Sequence, residues 1–172
     1  PCSGNYPFAR AKALEDYTLQ RMAEELDETS RRLRELLGVE PRSFAYPCGQ
    51  GFVGRGAGRA SYVPLVAERF LVGRSYLSGP YNLPGVFDPA AAASEGMDNR
   101  SWEAIRNCID AAIEAGGWLI LTGHEVAESG DLAVDPAVFR QICACARERE
   151  DELYTGTVAQ IGSHLRDRES TD

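Results

Sequence analysis

The chain has 172 residues, 44% of them apolar and 26% charged, a balance that suits one globular domain and excludes a disordered chain. The net charge is −8 and Lys12 is the single lysine, which argues against a nucleic-acid partner, since phosphate binding draws on clustered Lys and Arg. No apolar run approaches the roughly 20 residues that a membrane span needs.

Taken in chain order, residues 11–37 read as one long helix, with Leu14, Tyr17, Met22, Leu26, Leu33 and Leu37 at near-helical spacing. Gly38 ends it and Pro41 keeps it ended. A short strand is expected over 43–46, then a loop over 47–60 with five glycines. Residues 61–69 follow as a short helix with Pro64 in its first turn, and 70–76 as a strand. A Pro- and Gly-containing loop runs to about Arg100. Ser101 caps a helix that continues to Ala115, with Gly116 just past its end. Residues 118–122 form an apolar strand too continuous to be half exposed. Asp135 and Pro136 open another helix, as cap and first helical position, reaching about Glu150. A short strand at 152–154 and a helix from 157 to about 168 complete the chain.

Strict alternation of helix and strand implies parallel strands with helical crossovers, as an open doubly wound sheet or a (β/α) barrel. The first helix has no preceding partner strand, and a four-stranded parallel sheet would leave an exposed edge through which copies could self-associate. The five cysteines, Cys2, Cys48, Cys108, Cys143 and Cys145, are odd in number and include no CxxC pair, so neither a disulfide framework nor a zinc knuckle is expected.

In either α/β architecture the chemistry sits at the C-terminal ends of the strands. The residues there are Tyr46-Pro47-Cys48-Gly49, Arg74-Ser75-Tyr76, Thr122-Gly123-His124-Glu125 and Tyr154-Thr155. His124, one of two histidines, follows a buried strand, where a general acid or base would be held rigidly. His164 lies among polar residues of the last helix. There is no GxSxG elbow, and His124-Glu125 does not continue as HExxH because residue 128 is Glu. The stretch 49–59 lacks GK[ST], and its glycines do not fit GxGxxG between a strand and a closely following helix, so a flexible substrate loop is the better reading.

Phe44-Ala45-Tyr46-Pro47-Cys48-Gly49, after the long helix and the Gly38-Val39-Glu40-Pro41 turn, resembles the third motif of polysaccharide deacetylases, carbohydrate esterases that share the chitooligosaccharide deacetylase domain. Gly116 to His124 is similar to the strand carrying the histidine of that family's last motif, and Tyr154-Thr155-Gly156-Thr157 to the end of its domain. Pro1 resembles the proline that closes the second motif, His-x-x-x-His-Pro, which would leave the metal ligands upstream.

The resemblance implies an incomplete distorted (β/α) barrel with parallel strands, its N-terminal strands missing. Residues 1–168 would form the C-terminal portion of one domain and 169–172 a disordered tail. It implies metal-dependent hydrolysis of N-acetyl or related acyl groups on amino-sugar polysaccharides or oligosaccharides. The cofactor would be a divalent metal, zinc in the usual case, with its ligands outside this chain, so that the isolated chain is expected to be inactive. His124 would be the acid toward the departing amine, and the Cys48 N–H a donor to the oxyanion. Tyr46, Pro47, Gly49, Arg74 and Leu121 would line the substrate, an acetylated amino-sugar glycan. Ala45 stands where the family commonly has arginine, with Arg74 as its replacement, and Thr122 where it often has leucine. Asp98 and Trp102 are near one another but not adjacent, and receive no role. Two rival readings stand beside this one: a degenerate, non-catalytic glycan- or partner-binding domain, and a hydrolase using Cys48 as nucleophile.

Overall fold

The computed structural model describes residues 1–5, 7–75 and 79–169. They fall into two compact units, Pro1–Ser75 with Asp88–Ala91, and Tyr76–Phe87 with Ala92–Asp172.

In the first unit the long helix, α1, spans Leu19–Leu37 rather than 11–37. Upstream of it the backbone is extended at Ala13 (φ −67°, ψ 131°) and Tyr17 (φ −93°, ψ 149°). Ala13 forms a parallel bridge with Cys2, and the Leu14 N–H donates to the Cys2 carbonyl at 2.9 Å. That tertiary pairing outweighs the helical spacing of Leu14 and Tyr17, and both side chains are buried from short 3-10 and extended segments instead. Thr18 then starts α1 by accepting from the Arg21 N–H at 3.1 Å, and Gly38 (φ 66°) ends it in the left-handed conformation. Met22 and Leu26 face the core. On the exposed side Arg31 pairs with Glu28 at 2.7 Å and Glu35 at 2.5 Å, contacts worth little at such exposure.

Strand β1 (Ser43–Ala45) pairs in parallel with a later strand, Val72–Arg74, through Ser43↔Val72, Phe44↔Gly73 and Ala45↔Arg74. Between them the glycine-rich stretch expected as open loop holds a small antiparallel hairpin, β2 (Phe52–Val53) with β3 (Ala60–Ser61). Helix α2 (Val63–Arg69) follows, and the strand Val72–Arg74 is β4. Tyr76, the expected end of that strand, lies outside the described residues. The core is aromatic: Tyr46 and Tyr62 lie 5.4 Å apart between centroids, Phe44 meets Tyr46 edge-on at 5.1 Å and stacks on Phe70 at 5.4 Å. Gly73 passes so close to the Ala90 carbonyl, to Val66 Cγ1 (2.8 Å) and to Tyr46 Cε2 (3.0 Å) that a Cβ there would collide with all three.

The absence of any disulfide, as expected from the cysteine count, is corrected here. Cys2 and Cys48 are bonded, with Cα atoms 5.9 Å apart and a separation of 46 positions in sequence. The cysteines are far apart in sequence, so spacing carried no sign of the pair. In the chain-entropy view, closing a loop of that length disfavours the unfolded chain by about 4 kcal/mol.

In the second unit β5 (Glu95–Gly96), unexpected from the sequence, pairs in parallel with β6 (Leu121–Thr122), and α3 (Trp102–Glu114) connects them. The Ser101 hydroxyl caps α3 by accepting from the Ala104 N–H at 3.3 Å. Upstream of β6, Trp118 forms an antiparallel bridge with buried Asn82, whose side chain also bonds the Ala93 N–H and carbonyl. β7 (Glu125–Val126) pairs with β8 (Ala133–Val134), and α4 (Pro136–Glu148) starts at the Asp135 cap as expected. Ile105, Ile109 and Cys145 form the core, with Leu119, Leu121, Ile142 and Leu153 packed against it. Residues 152–154 do not form the expected strand. The chain turns there, with the Glu152 and Leu153 N–H groups donating to the Arg149 carbonyl at 2.9 and 3.0 Å. Helix α5 (Val158–Glu169) ends the described chain, so the expected tail beyond Glu169 lies outside it.

The fold class is therefore mixed α/β with small parallel sheets, each of two strands, and no closed barrel among the described residues. No helix among them is long and apolar enough to cross a membrane.

Glu15 ties the segment 1–5 to the rest of its unit. Its carboxylate accepts from the Ser3 hydroxyl at 2.5 Å and from the Gly4 N–H at 2.8 Å. The Ser3 hydroxyl first, then the Gly4 N–H, hold its pKa down from 4.5 to about 2. A depressed carboxylate contributes stability in full above its unfolded pKa and loses it as the pH falls through the folded value. Glu15 should therefore make stability fall between pH 4.5 and about 2. Urea midpoints measured across that range should show a shallower slope for Glu15→Gln than for the parent. Parallel slopes would mean that the Ser3 and Gly4 bonds are not made in solution.

Candidate functional site

The register of β5 and β6 sets the geometry of the best-defined polar site. Gly96 and Thr122 are Cα partners, and the Met97 N–H donates to the Thr122 carbonyl at 2.8 Å. Two residues beyond each partner come Asp98 and His124. Parallel strands put both C-terminal ends on the same side, so these side chains leave the sheet together. The Asp98 carboxylate accepts from the His124 N–H through Oδ1 at 3.0 Å, and its Oδ2 lies 2.7 Å from His124 Nδ1. Asp98 is withdrawn from water, its side chain 7% exposed, whereas that of His124 is 50% exposed. One oxygen fixes the backbone and the other the ring.

Gly123 allows this approach. A Cβ there would lie 2.7 Å from Val134 Cγ2, 3.2 Å from Met97 Cε and 3.6 Å from Asp98 Oδ1. The loop behind Asp98 is anchored by Asn99, which takes the left-handed conformation (φ 54°). Its N–H donates to the Ala133 carbonyl at 2.8 Å and its side chain to the Asp131 carbonyl at 2.7 Å. Next to it Arg100 pairs with Glu95 at 2.7 Å. The Thr122 hydroxyl is buried with no hydrogen-bond partner.

A histidine with Nδ1 committed to a carboxylate has its ring orientation fixed, and Nε2 becomes the nitrogen that exchanges protons with a substrate. This pair can donate or accept a proton. Among the described residues no three His, Cys, Asp or Glu side chains are grouped to hold a metal ion. The donors present therefore do not fit a resident metal, and no step is routed through one.

The other expected site residues in the second unit behave differently. Leu121 packs with the Ile105, Ile109 and Cys145 cluster and lines a cavity of about 630 Å³ together with Ile142, Leu153 and Ile161. His124 does not line that cavity, whereas His164 does. Trp102 packs against the same cluster.

In the first unit the Tyr46–Gly49 turn follows β1. The Tyr46 N–H donates to the Arg74 carbonyl at 3.0 Å. The Tyr46 side chain is 3% exposed and its hydroxyl donates to the Ala90 carbonyl at 2.6 Å, so it belongs to the core, and burial pushes its pKa up. Pro47 and Gly49 are half-buried. Arg74 is half-buried too and bonds the Ser75 carbonyl at 3.2 Å. Cys48 is exposed, with φ 52°. The turn closes through the Gly49 N–H to the Tyr46 carbonyl (2.9 Å) and the Gln50 N–H to the Pro47 carbonyl (3.1 Å), bonds that do not use the Cys48 N–H. The reading of Cys48 as a nucleophile is corrected: its sulfur is bonded to Cys2, so it has no thiol to ionise.

Asp98 is the residue that sequence reasoning missed. It lies 26 positions from His124 in a stretch with no visible strand, and only the pairing of β5 with β6 joins them. Comparison with known proteins found no matching family model, and neither a curated protein nor a solved structure similar to this chain.

Gly123→Ala should lower stability by about 1–3 kcal/mol, the usual cost of overpacking. The His124 amide resonance should shift as its bond to Asp98 is displaced. A variant with unchanged stability and an unmoved resonance would show that the chain passes Val134 and Met97 less closely than described.

Proposed function

We propose that this chain is the acid-bearing part of a hydrolase that removes N-acetyl, or related acyl, groups from amino-sugar polysaccharides or oligosaccharides. The observation that supports it best is the grip of Asp98 on both the backbone and the ring of His124. Amide hydrolysis must expel a poor leaving group, the amine, and a rigidly held acid is what that step requires. In this reading Nε2 of His124 hands its proton to the departing nitrogen, and Asp98 orients the ring and stabilises the imidazolium form. The fold that accompanies the reading is a distorted (β/α) barrel.

The test is acetate release from N-acetylated chitooligosaccharides by the gene product that carries this chain. His124→Ala should reduce kcat/KM by about 10² to 10⁴, the span expected for loss of a general acid. Asp98→Asn preserves size while removing the charge that orients the ring. It should reduce kcat by roughly 10² or more with KM little changed, because it acts through His124. Full activity in His124→Ala would remove the histidine from the mechanism. Saturable glycan binding with no acetate released would sink the hydrolase reading and favour a binding domain.

A further inference from the structure

We infer that the Cys2–Cys48 bridge is a reversible thiol–disulfide exchange site. A small dithiol would open it while the first unit stays folded, and opening would release the 46–50 turn from the 1–16 segment. The two residues differ in exposure. Cys2 is 3% exposed, whereas Cys48 is an exposed residue on a turn. A thiolate can therefore reach Cys48 without prior unfolding. It bonds to Cys48 Sγ as the sulfur–sulfur bond breaks, and Cys2 leaves with the electron pair. The second thiol of the reagent then attacks its own sulfur in the mixed disulfide and expels Cys48. The dithiol ends as a cyclic disulfide, oxidised by two electrons, and its two protons pass to the two cysteines.

The consequence of opening follows from what else holds the turn. Cys48 is a non-glycine residue in the left-handed region, a conformation that costs free energy unless its surroundings impose it. The bridge to buried Cys2 is one restraint on it. Besides the bridge, the turn meets the 1–16 segment where the Ser3 N–H donates to Gln50 Oε1 at 2.7 Å. The segment itself has independent anchors in the Ser3 and Gly4 bonds to Glu15 and the Cys2–Ala13 pairing. The aromatic cluster is built of other side chains than the two cysteines: Tyr46, Val53, Tyr62 and Val66 pack on one another, and β1 pairs with β4. Reduction should therefore loosen the turn, not melt the unit. The free cysteines, Cys108, Cys143 and Cys145, all belong to the second unit and serve as internal references.

The experiment uses the chain itself and no activity assay, so its result is independent of the proposed reaction. The protein is incubated with dithiothreitol under native conditions, alkylated with iodoacetamide and mapped, while amide exchange is followed by NMR. Cys2 and Cys48 should become alkylated together. The Gly49 and Gln50 amides should exchange about tenfold faster or more, with the Val66 and Val72 amides unchanged. A Cys2→Ser/Cys48→Ser double variant should show the same fast exchange with no dithiol present. The proposal is overturned if the bridge resists reduction until the Val66 and Val72 amides also open, which would make it a staple for the whole unit. It is equally overturned if Gly49 and Gln50 exchange at the same rate in the bridged and reduced proteins.

Discussion

The pairing of Gly96 with Thr122 decides where the second unit brings Asp98 and His124 together. Parallel strands align their C-terminal ends, so whatever follows one strand by two residues meets whatever follows the other by two. A shift of the register by one position would leave Met97 or Asn99 opposite His124, and neither can hold a histidine ring as a carboxylate does. Gly123 reinforces the constraint, because the space beside it is filled by Val134 and Met97. A withdrawn carboxylate needs donors in place of water, and the His124 N–H and ring supply two. The histidine and the aspartate thus each make the other's position tenable.

The first unit rests on a similar frame filled differently. β1 and β4 align Ala45 with Arg74, and the Arg74 carbonyl receives the next N–H, that of Tyr46, as the chain leaves the sheet. Tyr46 then drops its ring into the aromatic core and spends its hydroxyl on the Ala90 carbonyl. Gly73 leaves room for that ring. With Tyr46 anchored below, the next residues must turn sharply outward, and the left-handed Cys48 and Gly49 make that turn. An exposed cysteine in an unusual conformation and a buried tyrosine are two sides of one chain reversal.

Much of this frame was legible in the sequence because it is written locally. Gly38 ends a helix whose Met22 and Leu26 face inward, and Ser101 and the Asp135-Pro136 pair announce helix starts by hydrogen-bonding chemistry that needs no tertiary partner. The position of His124 just past an apolar strand was likewise readable. What failed was non-local. Residues 11–17 have helical spacing, but the Cys2–Ala13 pairing competes for their backbone. β5 is two residues long and its partner lies across a whole helix, so no periodicity could reveal it. The Cys2–Cys48 bond and the Asp98–His124 contact join residues 46 and 26 positions apart, and neither leaves a spacing signature. Strand position alone does not say which face a side chain takes: the Tyr46 ring is buried in the aromatic core, and Leu121 packs on the Ile105 cluster while also lining the cavity.

The two strand ends are finished by different chemistry. Each must hold a chain segment that has just left hydrogen-bonded structure, where backbone entropy favours escape. After β1 the segment is fastened by a covalent bond, which acts on the unfolded chain as much as on the folded one. After β6 it is fastened by a carboxylate, which acts only in the folded chain and only while Asp98 is ionised and adjacent. A covalent fastening holds the Cys48 backbone against motion but leaves its sulfur unable to react as a thiol. A hydrogen-bonded fastening leaves the His124 ring chemically competent, because the bond at Nδ1 orients the ring without consuming it. A group that must exchange protons can be held in the second way and not in the first. The β1 end, while bridged, thus keeps its sulfur in a covalent bond, whereas the β6 end keeps a histidine ring held at Nδ1.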